Sequence, residues 1–328
     1  MSFITIVIIG LALLFSFLNG VHDSRNVVST LISSRAYSPH SALGIAALAE
    51  FFGPFLFGAA VAQTIGRGIV DASIINHRVL LIALIGAIIW NLLTWFIRLP
   101  SSSSHALIGG LLGAATVQAG ASAIQVSGLF RILLFLFVSP ILGLAFGFVL
   151  YRIIFALSQN ANPRINSFFK RAQIFTAIIL GLSHGSNDGQ KSMGIITLAL
   201  VTGGYLSSFT IPPWVIVSCA LALSLGTTLG GWRLIRTVGG IMFYKIRPMD
   251  GFTAQVTSAL VILTASVLGG PVSATQVITT SVMGVGAAER ANKVRWGLAQ
   301  DIAVAWVLTI PATTLLAGGI YWLSLRFF

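Results

Sequence analysis

Long apolar runs alternate with short polar stretches over the whole chain. The apolar runs fall at residues 3–18, 42–65, 79–98, 105–117, 129–157, 174–183, 193–202, 213–230, 254–268, 277–288 and 298–325. A helix needs ~20 apolar residues to cross a hydrocarbon core of ~30 Å. Several runs reach that length. Those at 105–117, 174–183, 193–202 and 277–288 are too short to cross alone. The last run is long enough for a tilted span, with Pro311 as the expected break. The pattern predicts an all-α integral membrane protein of about 10–12 transmembrane segments, including broken helices and re-entrant hairpins.

Composition agrees with that pattern. Of 328 residues, 56% are hydrophobic and only 8% are charged. Soluble domains average about a quarter charged residues. This chain cannot cover a water-facing surface, which excludes an ordinary soluble protein and a disordered one. The net charge is +12. In a soluble protein that excess would point to nucleic acid. Here the basic residues fall in short loops, where they fix topology, and nucleic acid is not expected as a partner. The main polar linker, Ser158 to Arg171, carries Arg164, Lys170 and Arg171, with Arg152 close by. The positive-inside rule makes it cytoplasmic. Arg233 to Arg247 and Arg290 to Arg295 are two further basic loops. The start, MSFITIVIIG, has no basic residue before its apolar run. It reads as a retained first span beginning outside rather than a cleaved signal. A multi-pass chain of the inner (plasma) membrane is the expected location. The single cysteine, Cys219, allows no intrachain disulfide and no thiolate metal cluster.

The linker near the middle invites a test for duplication. Gly20-Val-His-Asp23 is like Gly185-Ser-Asn-Asp188, about half the chain further on. Thr64-Ile-Gly66 is like Thr237-Val-Gly239, and Pro100-Ser-Ser-Ser-Ser104 is like Pro271-Val-Ser-Ala-Thr275. Pro140 and Pro311 both lie inside long late runs. Four ordered matches at about half the chain length predict two repeats, 1–157 and 172–328, joined by the short basic linker 158–171. Transporters built from inverted repeats bind near the midplane, where helices break in both halves.

The chemistry gathers in four places. Two are polar knots inside apolar surroundings, Asn19 to Asn26 and Ser183 to Lys191. A charge at the bilayer centre costs ~2.5–3.5 kcal/mol on insertion scales. Asp23, Arg25, Asp188 and Lys191 together cost about 10 kcal/mol by that measure. Self-neutralising pairs, Asp23 with Arg25 and Asp188 with Lys191, are the plain explanation. Recurrence at matching places in both halves favours a ligand or ion site instead. Gly20, Gly185 and Gly189 are expected to unwind the backbone and free carbonyls and amides. Close helix packing is the alternative.

The other two places are hydroxyl runs after a proline, Ser101 to Ser104 and Ser273 to Thr275. Each precedes a run too short to span and reads as the turn of a re-entrant hairpin. Hydroxyls and amides at a helix N-terminus form an oxyanion cradle. Ordinary capping needs only one hydroxyl. His40 and His77 fall in loops, whereas His105 follows the serine run as a cap or ligand contact. His22 is either a proton relay or a neutral hydrogen-bonding residue. Glu50 and Asp301 read as partners of the knots or as carboxylates near the aqueous boundary. An intramembrane hydrolase is disfavoured, because two-fold duplication of a single catalytic triad would be odd.

Gly20-Val-His-Asp-Ser-Arg-Asn26 resembles the first signature of the inorganic phosphate transporter (PiT) family. His184-Gly-Ser-Asn-Asp-Gly-Gln-Lys191, continuing to Gly194, resembles the second more closely. The Ser/Thr runs and Ala305-Trp-Val-Leu-Thr-Ile-Pro-Ala312 are also similar to the family pattern, so the resemblance spans the chain. It implies a phosphate–cation symporter, a secondary transporter and not an enzyme, with no catalytic residues. It implies that Asp23, Asn26, Asn187 and Asp188 bind the coupling ion, with His22 beside them. Asp23 and Asp188 would be metal ligands if that ion is Na+. It implies phosphate binding by Ser102, Ser103, Ser104, Ser273 and Thr275, with Gln190 and Lys191. His22 and Arg25 depart from the commonest form. The His form is similar to the bacterial low-affinity permeases, associated with H+ coupling and metal-phosphate substrates, which favours H+ over Na+. No cofactor is implied beyond the coupling cation and a divalent metal carried with phosphate. A PhoU-like regulatory protein and a homo-oligomer are the partner classes. An uncoupled anion channel or anion-binding membrane protein is the alternative function.

Overall fold

The computed structural model describes residues 1–70, 74–97, 99, 101–235, 246–294 and 296–327, with the side chains of 231–235, 298, 301, 302 and 327 excepted. The Thr237-Val-Gly239 match, most of the basic loop from Arg233 to Arg247, Pro100, Arg295 and the Asp301 side chain therefore lie outside the described residues. The chain folds into helices α1 (Phe3–Ser33), α2 (Pro39–Leu56), α3 (Ala60–Arg67), α4 (His77–Phe96), α5 (Ser103–Ala119) and α6 (Val126–Ser158). It continues through α7 (Ile165–Thr202), α8 (Pro213–Ile235), α9 (Pro248–Val267), α10 (Ala274–Glu289) and α11 (Trp296–Phe327). Ser2, Ser38, Asn76, Ser102 and Ser273 cap α1, α2, α4, α5 and α10 by accepting from an amide one turn on.

Among the described residues, six helices are long and apolar enough to span a membrane, and α2 with α3, bent by 75°, makes a seventh. The α7 helix is 38 residues long and carries the second knot at its middle. Helices α5 and α10, of 17 and 16 residues, are the short arms of two hairpins with α4 and α9. Apolar side chains such as Phe130, Ile141 and Leu315 stay exposed, as a lipid-facing surface requires. This is an all-α, multi-pass membrane protein.

Three expectations are corrected. The runs 174–183 and 193–202 are one continuous helix, α7. Their polar interval reads as a break by hydropathy, but its side chains are buried against other helices and need no break. Pro311 does not end α11, just as Pro140 lies within α6. Neighbouring helices and side chains re-satisfy what a membrane proline frees. Gly20, Gly185 and Gly189 sit inside unbroken helix, so no backbone unwinds there. Close packing is the role of the first two. A Cβ on Gly20 would meet the Leu223 carbonyl of α8, and one on Gly185 the Glu50 carbonyl of α2.

Packing is mirrored. Helix α1 packs on α8 as α7 packs on α2, and α5 packs on α11 as α10 packs on α6. The α1 helix sends Ile8, Ala12 and Phe15 into one apolar core and Val27, Val28 and Leu31 into another. The α7 helix does the reverse, with Phe169, Ala177 and Leu180 in the second core and Met193 to Leu200 in the first. The two polar knots are thus held between two cores, away from both ends of the molecule.

Candidate functional site

Helices α1 and α7 touch at their midpoints and bring the knots together. Asp23, His184 and Asp188, all buried, converge so that one nitrogen and two carboxylate oxygens lie within 4.8 Å of one another. His184 Nε2 is 3.7 Å from Asp23 Oδ2 and 3.4 Å from Asp188 Oδ2, and it makes no hydrogen bond among the described residues. On its other side His184 Nδ1 bonds Glu50 Oε1 at 2.9 Å. Glu50 is fully buried on α2 and also accepts from the Thr227 hydroxyl of α8. The imidazole is therefore fixed between one carboxylate behind it and two in front.

The two aspartates have different surroundings. Asp23 accepts from neutral donors, Asn26 Nδ2 at 3.3 Å and the Thr275 hydroxyl of α10. Asp188 has a full counter-ion, Lys191 Nζ at 2.6 Å, and also accepts from Asn19 Nδ2 at 2.6 Å. Lys191 is fully buried and bonds Ser104 Oγ at 2.5 Å and Val272 O at 2.9 Å besides Asp188. All three of its protons are placed. Asn19 stands to His184 in the sequence as Asp23 stands to Asp188, at the same interval. Each reaches from its own helix to the aspartate of the other.

The hairpin turns meet beside this cluster. Ser104 Oγ donates to Val272 O at 2.9 Å, and Ser103 Oγ donates to Asn19 Oδ1 at 2.5 Å. The N-termini of α5 and α10 thus approach the site from both halves, where their free amides and dipoles favour an anion. Ser102 and Ser273 are buried and cap those helices.

The remaining candidates have other hydrogen-bond and ring partners. Asn187 ties α7 to the second hairpin, through Ser266 Oγ at 2.9 Å, Gly270 O at 3.1 Å and Val272 N at 3.2 Å. Gln190 Oε1 accepts from Val61 N and Ala62 N at 2.9 and 3.3 Å, which caps α3 from outside. His22 is half-buried and stacks on Trp95 with ring centroids 6.2 Å apart. The predicted Asp23–Arg25 pair is not among the ion pairs of the described residues, and Arg25 Nε is buried without a hydrogen bond to any of them. His105 is fully buried with Phe137 against its ring at 6.1 Å. His77 begins α4 and bonds Thr5 Oγ1 at 3.0 Å.

Sequence reasoning assigns no role to Asn19, His184 or Thr227. A signal for the first two is present. Each precedes the glycine of its knot by one residue, and each lies one helical turn before its own aspartate. Thr227 carries no signal in one sequence, because a hydroxyl within an apolar run is common. Glu50 is resolved as a partner of His184 and not a boundary carboxylate.

Known proteins share this architecture. Residues 19–317 match the model of the "Phosphate transporter family". A protein of Bacillus subtilis (strain 168), named "Probable low-affinity inorganic phosphate transporter", is 43% identical over 324 residues, covering 98% of this chain and 97% of its own. A protein of Rhizobium meliloti (strain 1021) with the same name is 44% identical over 316 residues, covering 96% and 94%. A solved structure described as "The sodium-dependent phosphate transporter" superposes with a TM-score of 0.92 at 25% identity, over all of both chains.

Proposed function

The chain belongs to the phosphate transporter family, and from that premise we propose that it imports inorganic phosphate by symport with a proton, taken up at the Asp23–His184–Asp188 cluster. The single observation that carries this reading is the placement of His184 Nε2 between two buried carboxylates, without a hydrogen bond among the described residues. A proton added there is shared between imidazole and carboxylate. Hard cations such as sodium take oxygen ligands, and one of the three facing atoms here is a nitrogen. The continuous helix at Gly20 and Gly185 supplies no freed carbonyls beside the aspartates.

Coupling follows from charge. Two unit charges 4 Å apart repel by about 4 kcal/mol at an effective dielectric of 20, roughly a thousandfold in binding. A phosphate docked at the hairpin N-termini beside two carboxylates meets that repulsion. Lys191 already offsets Asp188. Among the described residues Asp23 takes its hydrogen bonds from Asn26 and Thr275, with His184 Nε2 at 3.7 Å and no lysine or arginine paired to it, so it is the carboxylate whose neutralisation admits the anion. Phosphate then takes the hydroxyls of Ser103, Ser104 and Thr275 and draws on Lys191. Ser102, Ser273, Asn187 and Gln190 shape the site by fixing α5, α10, the second hairpin and α3. Alternating access moves one bundle against the other about this centre. The mirrored packing of α1 on α8 and α7 on α2 supports treating 1–157 and 172–328 as two repeats.

Sodium is the second reading, favoured by the sodium dependence in the name of the structural neighbour. The deciding experiment is radiolabelled phosphate uptake into proteoliposomes under a proton gradient and a sodium gradient imposed separately, with sulfate as competitor. Concentrative uptake under the proton gradient alone is expected. Uptake driven by sodium alone would replace the proton, and none under either gradient would leave an uncoupled anion pathway.

A further inference from the structure

The α9–α10 hairpin is closed at its base by charges that the central site does not use. Arg247 Nη2 lies 3.0 Å from Glu289 Oε1, and Lys293 Nζ pairs with Glu289 Oε2. Asp250 is buried, 7% exposed. Its Oδ2 accepts from Arg247 N at 2.9 Å, whereas its Oδ1 accepts no hydrogen bond from the described residues. Asp250, Glu289 and Lys293 line a recess together with Thr30 of α1 and Val282 and Val285 of α10.

Three observations connect this recess to the site. It lies at the end of the molecule that carries the basic linker. Phe169 of α7 packs on Phe252 of α9 with centroids 5.4 Å apart, and Gln173 Nε2 donates to Pro248 O at 2.9 Å. A polar line on α1 leads to it. Asp23, Asn26 and Thr30, spaced by three and four residues, share one helix face, and that face meets the hairpin through Thr275 at Asp23 and Gln255 Nε2 at Thr30 (2.8 Å). The charges occur in one half only. By the interval that relates Pro100 to Pro271, the positions matching Arg247, Asp250, Glu289 and Lys293 are Asn76, Val79, Gln118 and Ser122, none of them charged.

We propose that this recess is the cytoplasmic mouth of the phosphate path, and that Arg247 and Lys293 bind the leaving phosphate in place of the Glu289 carboxylate. Carboxylate and phosphate oxygens offer a guanidinium and an ammonium the same kind of charge-assisted acceptor. Glu289 acts as an internal stand-in. It holds the two cations against the hairpin base while the mouth is shut and gives them up to a dianion arriving along α1.

This inference rests on the phosphate-transport reading, and its test is separable from it. Val285→Cys is made in the full chain and reconstituted in proteoliposomes. The native Cys219 is fully buried and gives little background. A membrane-impermeant thiol reagent is applied to each face, with and without inorganic phosphate. Labelling is expected from the linker face only, slowed by phosphate and accelerated by Glu289→Gln at least about tenfold, because both of its charge-assisted contacts lose the carboxylate charge. The double variant Arg247→Gln/Lys293→Gln is expected to lose the phosphate protection. Labelling from the opposite face overturns the proposal, as does protection that persists in the double variant. Should Val285→Cys fail to fold, Val282→Cys reports on the same recess. Phosphate-protected labelling in a chain that accumulates phosphate under neither gradient would sustain the mouth and refute the coupling.

Discussion

Lys191 is a fully buried cation with its three donors spent on Asp188, Ser104 and the Val272 carbonyl. Removing one member of such a buried pair costs about 3–5 kcal/mol, because the other charge is left uncompensated. Lys191→Met is therefore expected to lower the thermal unfolding midpoint in detergent sharply. Lys191→Met with Asp188→Asn is expected to recover most of that loss. A single variant as stable as the double would show that the pair does not hold the hairpin tips. At this scale the sequence is informative about charges and silent about neutral partners. Asp23, Asp188 and Lys191 stand out because a charge in an apolar run demands a reason. Asn187 and Gln190 lie in the same knot, yet they face the second hairpin and α3. Each residue of a helix is rotated by about a quarter turn from the last, so neighbours in a motif face different partners, and one sequence does not say which.

Among the elements, the hairpins α4–α5 and α9–α10 are legible from a proline, a hydroxyl run and an apolar stretch too short to span. The long helices are less so. Hydropathy reads the second knot as a gap, although α7 runs through it without a break. The glycines beside the aspartates permit unwinding and close packing equally, and only the partner helix decides between them. That decision carries a prediction. Gly20→Ala and Gly185→Ala each place a methyl on the carbonyl of a neighbouring helix, at a cost of about 1–3 kcal/mol from overpacking. Gly10→Ala and Gly44→Ala meet nothing within 4 Å and are expected to leave stability unchanged or raise it by up to about 1 kcal/mol. Unfolding midpoints of the four variants test this. Equal effects in both pairs would remove close packing as the reason for Gly20 and Gly185.

For the molecule as a whole, charge is scarce, and its placement underlies the proposed mechanism. Each of the two long central helices feeds both apolar cores and leaves its polar turn between them. One half supplies an aspartate with a lysine, and the other an aspartate with neutral donors. On the proposed symport, that asymmetry makes Asp23 the residue that takes the coupling cation. Asp23→Asn imitates the protonated carboxylate and cannot release a proton. The most direct measurement is phosphate affinity of the purified full-length chain across pH and sodium concentration, wild type against Asp23→Asn, paired with gradient-driven uptake. Wild-type affinity is expected to rise as pH falls. Asp23→Asn is expected to keep only the pH dependence that phosphate's own second ionisation imposes, to differ in this from wild type, and to accumulate none. A variant whose binding keeps the wild-type pH dependence, or which still accumulates phosphate, would contradict proton uptake at Asp23.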